Sequence, residues 1–123
     1  MPSSTQYRGT WGEKVASWYL EGQGYKIITT HFTTRFGEID LIMRDGNEVV
    51  FIEVKTRLKN VYGLAEQSVD KQKQKRLKKT ILAYISKNNI ESFRFDIIAI
   101  TKRKTSKTIS IRHHKALSDI FDH

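Results

Sequence analysis

The stretch GEIDLIMRDGNEVVFIEVKTR, residues 37–57, decides how this chain is read. It falls inside two runs rich in apolar residues, Phe36 to Met43 and Glu48 to Thr56, joined by Asp45-Gly46, a pair that favours a tight hairpin turn. Successive side chains of a strand point to opposite faces. In the second run Val49, Phe51, Glu53 and Lys55 therefore share one face, and Val50, Ile52, Val54 and Thr56 share the other. Both faces carry apolar residues, which predicts a central strand covered on both sides. The same alternation puts Glu38 and Asp40 on one face of the first run, so an aligned register would bring four charges together.

A carboxylate in such a low-dielectric setting takes up a proton or needs a cation. A divalent ion, Mg²⁺ or Mn²⁺, meets that need. Asp40 and Glu53 are the expected metal ligands, with the backbone carbonyl of Val54 as a further one, because such ions take oxygen donors, waters and a substrate phosphate. Lys55 is then the expected catalytic charge, orienting or helping to deprotonate a water, or offsetting charge on the phosphate. The chemistry implied is hydrolysis of a phosphodiester. An ordinary Glu53–Lys55 ion pair on a solvated strand is the competing interpretation, and the apolar neighbours in FIEVK and GEIDLI weigh against it.

Working outward, Trp11, Val15, Trp18 and Tyr19 recur at helical spacing over Thr10 to Glu21, with Gly22 to Gly24 as the stop, and the three aromatics are expected in the core. Tyr25 to Phe32 reads as a strand. After a connection over residues 57–67, Ser68 caps a second helix with the apolar stripe Val69, Leu77, Ile81, Tyr84 and Ile85. Phe93 to Ile100 is a fourth strand, Thr108 to Arg112 a short fifth, and Ala116 to Phe121 a closing helical turn with Leu117, Ile120 and Phe121 inward. The predicted order is α-β-β-β-α-β with a β-α addition. Residues 1–9 read as a loose terminus and 10–123 as one domain.

The 123 residues carry 22 Lys and Arg against 13 Asp and Glu, a net charge of +9, which favours a polyanionic partner. The absence of cysteine excludes disulfides and thiolate metal sites. No apolar run approaches the roughly 20 residues that cross a bilayer, so a cytoplasmic chain without a membrane partner is expected. Six of the nine residues 71–79 are basic, and no acid lies among them. Lys71, Lys75, Arg76, Lys78 and Lys79 are thus candidate phosphate contacts, with Arg35 and Arg57 beside the acidic elements. Lys73 falls on the inward stripe of that helix, either reaching over the sheet toward a phosphate near the metal or covering apolar surface with its stem. Lys102, Arg103, Lys104 and Lys107 form a second, weaker basic loop.

GEIDLI followed by VVFIEVKTR resembles the YraN-like family, a branch of the PD-(D/E)xK nuclease superfamily. The resemblance extends to Gly12-Glu13, Arg35, Gly63, Val69 with Lys73, and Arg94-Phe95-Asp96. It implies a restriction-endonuclease-like α/β fold, similar to archaeal Holliday junction resolvases, with a mixed central sheet flanked by helices. It also implies that Asp40, Glu53 and Lys55 fall on the superfamily's metal and catalytic positions, and that Glu13 matches an extra helix-one carboxylate of the resolvases. The chain departs from the family at His31 and Thr33, where asparagine and arginine are expected, and Ile39 stands in place of the proline.

The expected function is therefore a Mg²⁺-dependent endonuclease acting on DNA in preference to RNA, including branched DNA. Asp40, Glu53 and Lys55 would be its catalytic residues, with Glu13 and Lys73 as assistants. Glu13, at the border of the helix-one apolar arc, points either to the sheet edge or to water. A two-fold symmetric junction would call for a homodimer. The alternative is a non-catalytic DNA- or RNA-binding module that keeps the fold. Arg94 and Asp96 are expected to satisfy each other structurally, and the adjacent His113 and His114 diverge, which excludes a joint metal site.

Overall fold

The computed structural model describes residues 10–58, 71–103 and 107–117. Its elements are α1 (Trp11–Gly22), β1 (Lys26–Thr34), β2 (Gly37–Asp45), β3 (Glu48–Leu58), α2 (Lys71–Asn88), β4 (Phe93–Lys102) and β5 (Ile109–His114). Up to β5 this is the predicted order. Tyr62, Gly63, Ser68, Val69, Lys104, Ile120 and Phe121 lie outside the described residues, as does the side chain of Arg57.

The five strands form one open mixed sheet in the order β1-β2-β3-β4-β5. Neighbours are antiparallel except β3 and β4, which run parallel and are connected through α2. A parallel pair needs a crossover, and α2 supplies it. Gly46, at φ 63°, makes the tight β2–β3 turn that Asp45-Gly46 predicted. With β3 in the middle, its two faces enter separate cores. Val50 and Ile52 join Val15, Ala16 and Leu20 of α1, whereas Val49 and Phe51 join Leu77, Ile81 and Tyr84 of α2. The result is an α/β/α arrangement with a restriction-endonuclease-like core.

Two expectations need correction. Trp11 and Trp18 are 46% and 47% exposed, not core, and Tyr19 is only partly buried. The face that α1 buries instead carries Gly12, Glu13, Val15, Ala16, Ser17 and Leu20. Small residues let the helix lie close to the sheet: a Cβ on Gly12 would stand 2.4 Å from the Thr56 hydroxyl oxygen. Ala116 and Leu117, the described part of the expected closing turn, are irregular rather than helical, although Leu117 does pack into the α2-side core. Its amide donates to the Phe95 carbonyl oxygen, which fixes it there without a helix.

Arg94 and Asp96 form the structural pair expected of them. The Arg94 guanidinium donates to Asp96 (3.1 Å), Asp45 and Glu48 (both 3.0 Å), and to the Tyr25 hydroxyl. Asp96, fully buried, also accepts from His113 Nε2 at 2.7 Å and from the Ala116 amide at 2.9 Å. Burial alone would raise its pKa, but these hydrogen bonds outweigh burial and hold the carboxyl below its ordinary value. A depressed carboxylate pKa gives stability that is present above the unfolded value and lost as pH falls through the folded one. Asp96→Asn should therefore cost about 3 kcal/mol near pH 7, with the gap to the parent narrowing in strong acid, as urea titrations across pH would measure.

Candidate functional site

The β2–β3 ladder runs from Asp45↔Glu48 to Leu41↔Ile52. At Asp40 the alternation of β2 changes. Ile39 and Ile42 both join the α2-side core, although strict alternation would put residues three apart on opposite faces. Opposite this break, His31 of β1 sits between the Thr30↔Leu41 and Phe32↔Ile39 pairs with φ 52°, in the left-handed region. Beyond the ladder's last pair, Asp40 Oδ2 accepts from the Val54 amide at 3.0 Å, so its carboxylate bridges to β3 where backbone pairing stops.

Three other elements deliver charge to this fork. Glu53, on β3 and only 8% exposed, lies 3.6 Å from the Lys73 ammonium of α2, an ion pair longer than a hydrogen bond. Lys55, two residues on, is 6% exposed. Glu13 of α1 is buried, which settles its two sequence readings against a solvated position. It closes a capping box with Thr10: Glu13 N donates to the Thr10 hydroxyl at 3.2 Å, and Thr10 N donates to Glu13 Oε1 at 3.0 Å. The Lys73 ammonium turns toward Glu53, while 46% of its side chain stays exposed.

The electrostatics follow from burial and crowding. Burial pushes the Asp40 carboxyl up, the Glu53 and Glu13 charges push it further, the Val54 amide opposes them, and the result is a pKa of about 7. Burial likewise raises Glu53, against the pull of Lys73 and Lys55. Lys73 is held above its ordinary value: burial works against its charge, but the charges of Glu53 and Asp40 outweigh it.

Sequence reasoning gave His31 no role, yet it is central to the rim. Its Nε2 meets Glu13 Oε1 at 2.9 Å and its Nδ1 meets Glu38 Oε1 at 2.8 Å. Only the imidazolium donates from both nitrogens, and the Glu38 hydrogen bond is the main cause of its raised pKa, with burial opposing. Glu38 is also within 3.4 Å of the Thr33 hydroxyl and lines a cavity with Glu53.

Among the described residues, no three His, Asp or Glu side chains are arranged as a ready-made metal cage. Asp40 and Glu53 nevertheless fit a hard divalent ion as donors, because both are oxygen ligands whose charged form burial disfavours and a cation would favour. The candidate phosphate contacts Lys71, Lys75, Arg76 and Lys79 are exposed on α2, and Lys78 is half-buried. Arg35 is exposed in the β1–β2 turn. Lys102, from the second basic loop, has its ammonium 5.3 Å from the Trp11 ring centre, on α1.

A carboxyl whose folded pKa is raised loses stability as pH climbs from its unfolded value through the folded one, because the unfolded chain releases its proton first. In EDTA, Asp40→Asn, which keeps an acceptor for the Val54 amide, should be more stable than the parent by about 1–3 kcal/mol at pH 8. Near pH 4 the advantage should vanish. Denaturation curves showing no gain at pH 8 would contradict the assigned strain.

The fold and the fork can be set beside known proteins. The profile of the uncharacterised protein family UPF0102 matches residues 12–100. A UPF0102 protein of Thermodesulfovibrio yellowstonii is 52% identical over 97 residues, covering 78% of this chain and 87% of that one. Another, from Caldanaerobacter subterraneus, is 40% identical over 108 residues, covering 86% and 88%. A third, from Photobacterium profundum, is 41% identical over 104 residues, covering 81% and 83%. The matched span contains every residue of the fork, Glu13, His31, Asp40, Glu53, Lys55 and Lys73, and the chain belongs to the uncharacterised protein family UPF0102.

Proposed function

We propose that this protein is a metal-dependent nuclease that hydrolyses DNA phosphodiesters at the β2–β3 fork. The observation that carries the reading is the raised pKa of Asp40 beside buried Glu53 and Lys55, with Glu53 opening onto a cavity that Lys73 and Arg76 also line. Structural carboxylates in this fold are treated differently: Asp96 is fully hydrogen-bonded and depressed. A carboxyl kept short of compensation marks a functional position.

Asp40 and Glu53 would hold Mg²⁺ or Mn²⁺. The Val54 carbonyl suits a third oxygen ligand, since its amide already points toward β2, and the carbonyl of a strand residue shares that edge. When bound, the ion would supply Lewis acidity and a water of lowered pKa. Lys55 contributes a buried ammonium beside Glu53, directed by the pleat to the same face, where it orients the attacking water or offsets charge on the phosphate oxygens. Lys73 neutralises Glu53 before substrate arrives and can turn to a phosphate afterwards. Glu13, held by Thr10 and His31, assists by fixing the negative field around Asp40. The exposed cations of α2 bind the backbone. DNA rather than RNA, a branched substrate and a symmetric pair of copies are further parts of the proposal.

One observation favours a rival reading. The Lys73–Glu53 ion pair answers part of the acid charge without a metal, as a non-catalytic DNA- or RNA-binding module would require. Incubation with single-stranded, linear duplex and four-way DNA in Mg²⁺ or Mn²⁺ separates the two. The parent should cut at least one substrate, with Asp40→Ala and Lys55→Ala slower by about a hundredfold or more. If all three bind alike and none cuts with either metal, the binding module is the better description.

A further inference from the structure

Beside the fork, the β1–β2 turn faces the first turns of α2 across a groove with two adjoining chambers, each of about 330 Å³. The first contains Glu38, Glu53 and Lys73 in its lining; the second contains Arg35, Lys75 and Lys79. Phe36, Gln72 and Arg76 belong to both, so they form the passage between the chambers. With Arg76 included, the second chamber is lined by four cations and no acid. Such a lining selects an anion.

The passage is a built feature rather than a chance gap. The Phe36 amide donates to the Thr34 hydroxyl oxygen at 3.1 Å, and that hydroxyl meets the hydroxyl of fully buried Thr80 on α2 at 3.3 Å. The turn is thereby tied to the helix. On this mount the half-buried Phe36 ring holds the Arg35 guanidinium 4.9 Å and the Lys79 ammonium 5.2 Å from its centre. An aromatic ring attracts cations without neutralising them, so both keep their full charge for a ligand while their positions are restricted. A carboxylate in the same place would have cancelled them.

We infer that the second chamber is a phosphate subsite for the nucleotide next to the one that reacts, and that the groove threads a single strand of nucleic acid past Phe36. This rests on the phosphodiester reading of the first chamber. Each chamber is near the small end of ligand pockets, roughly 300–1,000 Å³, which suits a nucleotide unit and not a duplex. Cations that follow a backbone, combined with an aromatic side chain, are how single strands are held. Phe36 is a positioning residue here: it acts on the phosphate through Arg35 and Lys79.

The test is fluorescence anisotropy of the full chain with labelled oligothymidylate and with a duplex of equal length, in EDTA, followed by cleavage assays in Mg²⁺. Arg35→Ala with Lys79→Ala should weaken oligothymidylate binding about tenfold and flatten its salt dependence by roughly 1–2 in slope. Phe36→Ala should weaken it in the same direction, and Phe36→Tyr should restore it. A charge-matched control, Lys26→Ala with Lys87→Ala, removes two exposed lysines away from the groove and should cost less than about threefold. The inference is overturned if the control loses as much as Arg35→Ala with Lys79→Ala, if Phe36→Ala binds like the parent, or if the parent prefers the duplex. Because binding is read without metal, the two readings fail separately. A parent that binds as described but cuts nothing refutes the nuclease, whereas a parent that cuts and whose groove variants bind and cut equally well refutes the subsite.

Discussion

The hydrogen bond from the Val54 amide to Asp40 occurs where the β2–β3 ladder has ended, and much of the site's geometry depends on it. A side-chain carboxylate there takes over a donor that a continuing ladder would have paired. β3 itself continues, held parallel to β4 through Glu53↔Ile97 and Lys55↔Ala99, so Glu53 and Lys55 rest on a fixed strand while β2 departs. The opening lets groups from both faces of the sheet reach one region. Glu13 comes from α1, whose close approach Gly12 permits, and Lys73 comes from α2 on the other side. Neither helix could contribute to a shared centre through an unbroken sheet.

The fold contains two clusters of charge drawn out of water, and they are compensated in opposite ways. Around Asp96, a guanidinium, an imidazole and a backbone amide supply donors, and the carboxyl is stabilised in its charged form. Around Asp40, one amide donates while two other acids crowd in, and the proton is retained up to about pH 7. The first arrangement fastens β4 and β5 to the β2–β3 turn. The second sacrifices stability at a point beside a basic groove, which is the pattern the proposed metal and phosphate sites would produce.

Much of this was legible in the sequence because alternation is a strong constraint. The two apolar faces of residues 49–56 point directly to a central strand, whereas Lys73, inward by its spacing to Leu77, is exposed in the fold and only its ammonium turns to Glu53. Helix one departs from its sequence reading because its large aromatics do not mark its buried arc. Trp11 and Trp18 instead face outward, and packing selects the smaller Gly12, Ala16 and Ser17. The Thr10…Glu13 spacing of a capping box was available as a signal and would have predicted that Glu13 is held. Nothing local announces the change of alternation at Asp40, nor that His31 takes φ 52° opposite it, since both depend on how β1, β2 and α1 meet. Phe36 read as the start of a strand, and its place between two cations is visible only once the turn faces α2.

The reading proposed for the fork is that Asp40 and Glu53 bind one divalent cation between them. The most direct measurement is anomalous diffraction from crystals grown with Mn²⁺ near pH 8, where Asp40 is ionised on the value of about 7 given above. One strong anomalous peak is expected within roughly 2.0–2.6 Å of carboxylate oxygens from both Asp40 and Glu53, absent from crystals of Asp40→Asn. Saturating Mn²⁺ with no peak between those two side chains, and the Lys73–Glu53 ion pair unchanged, would contradict it.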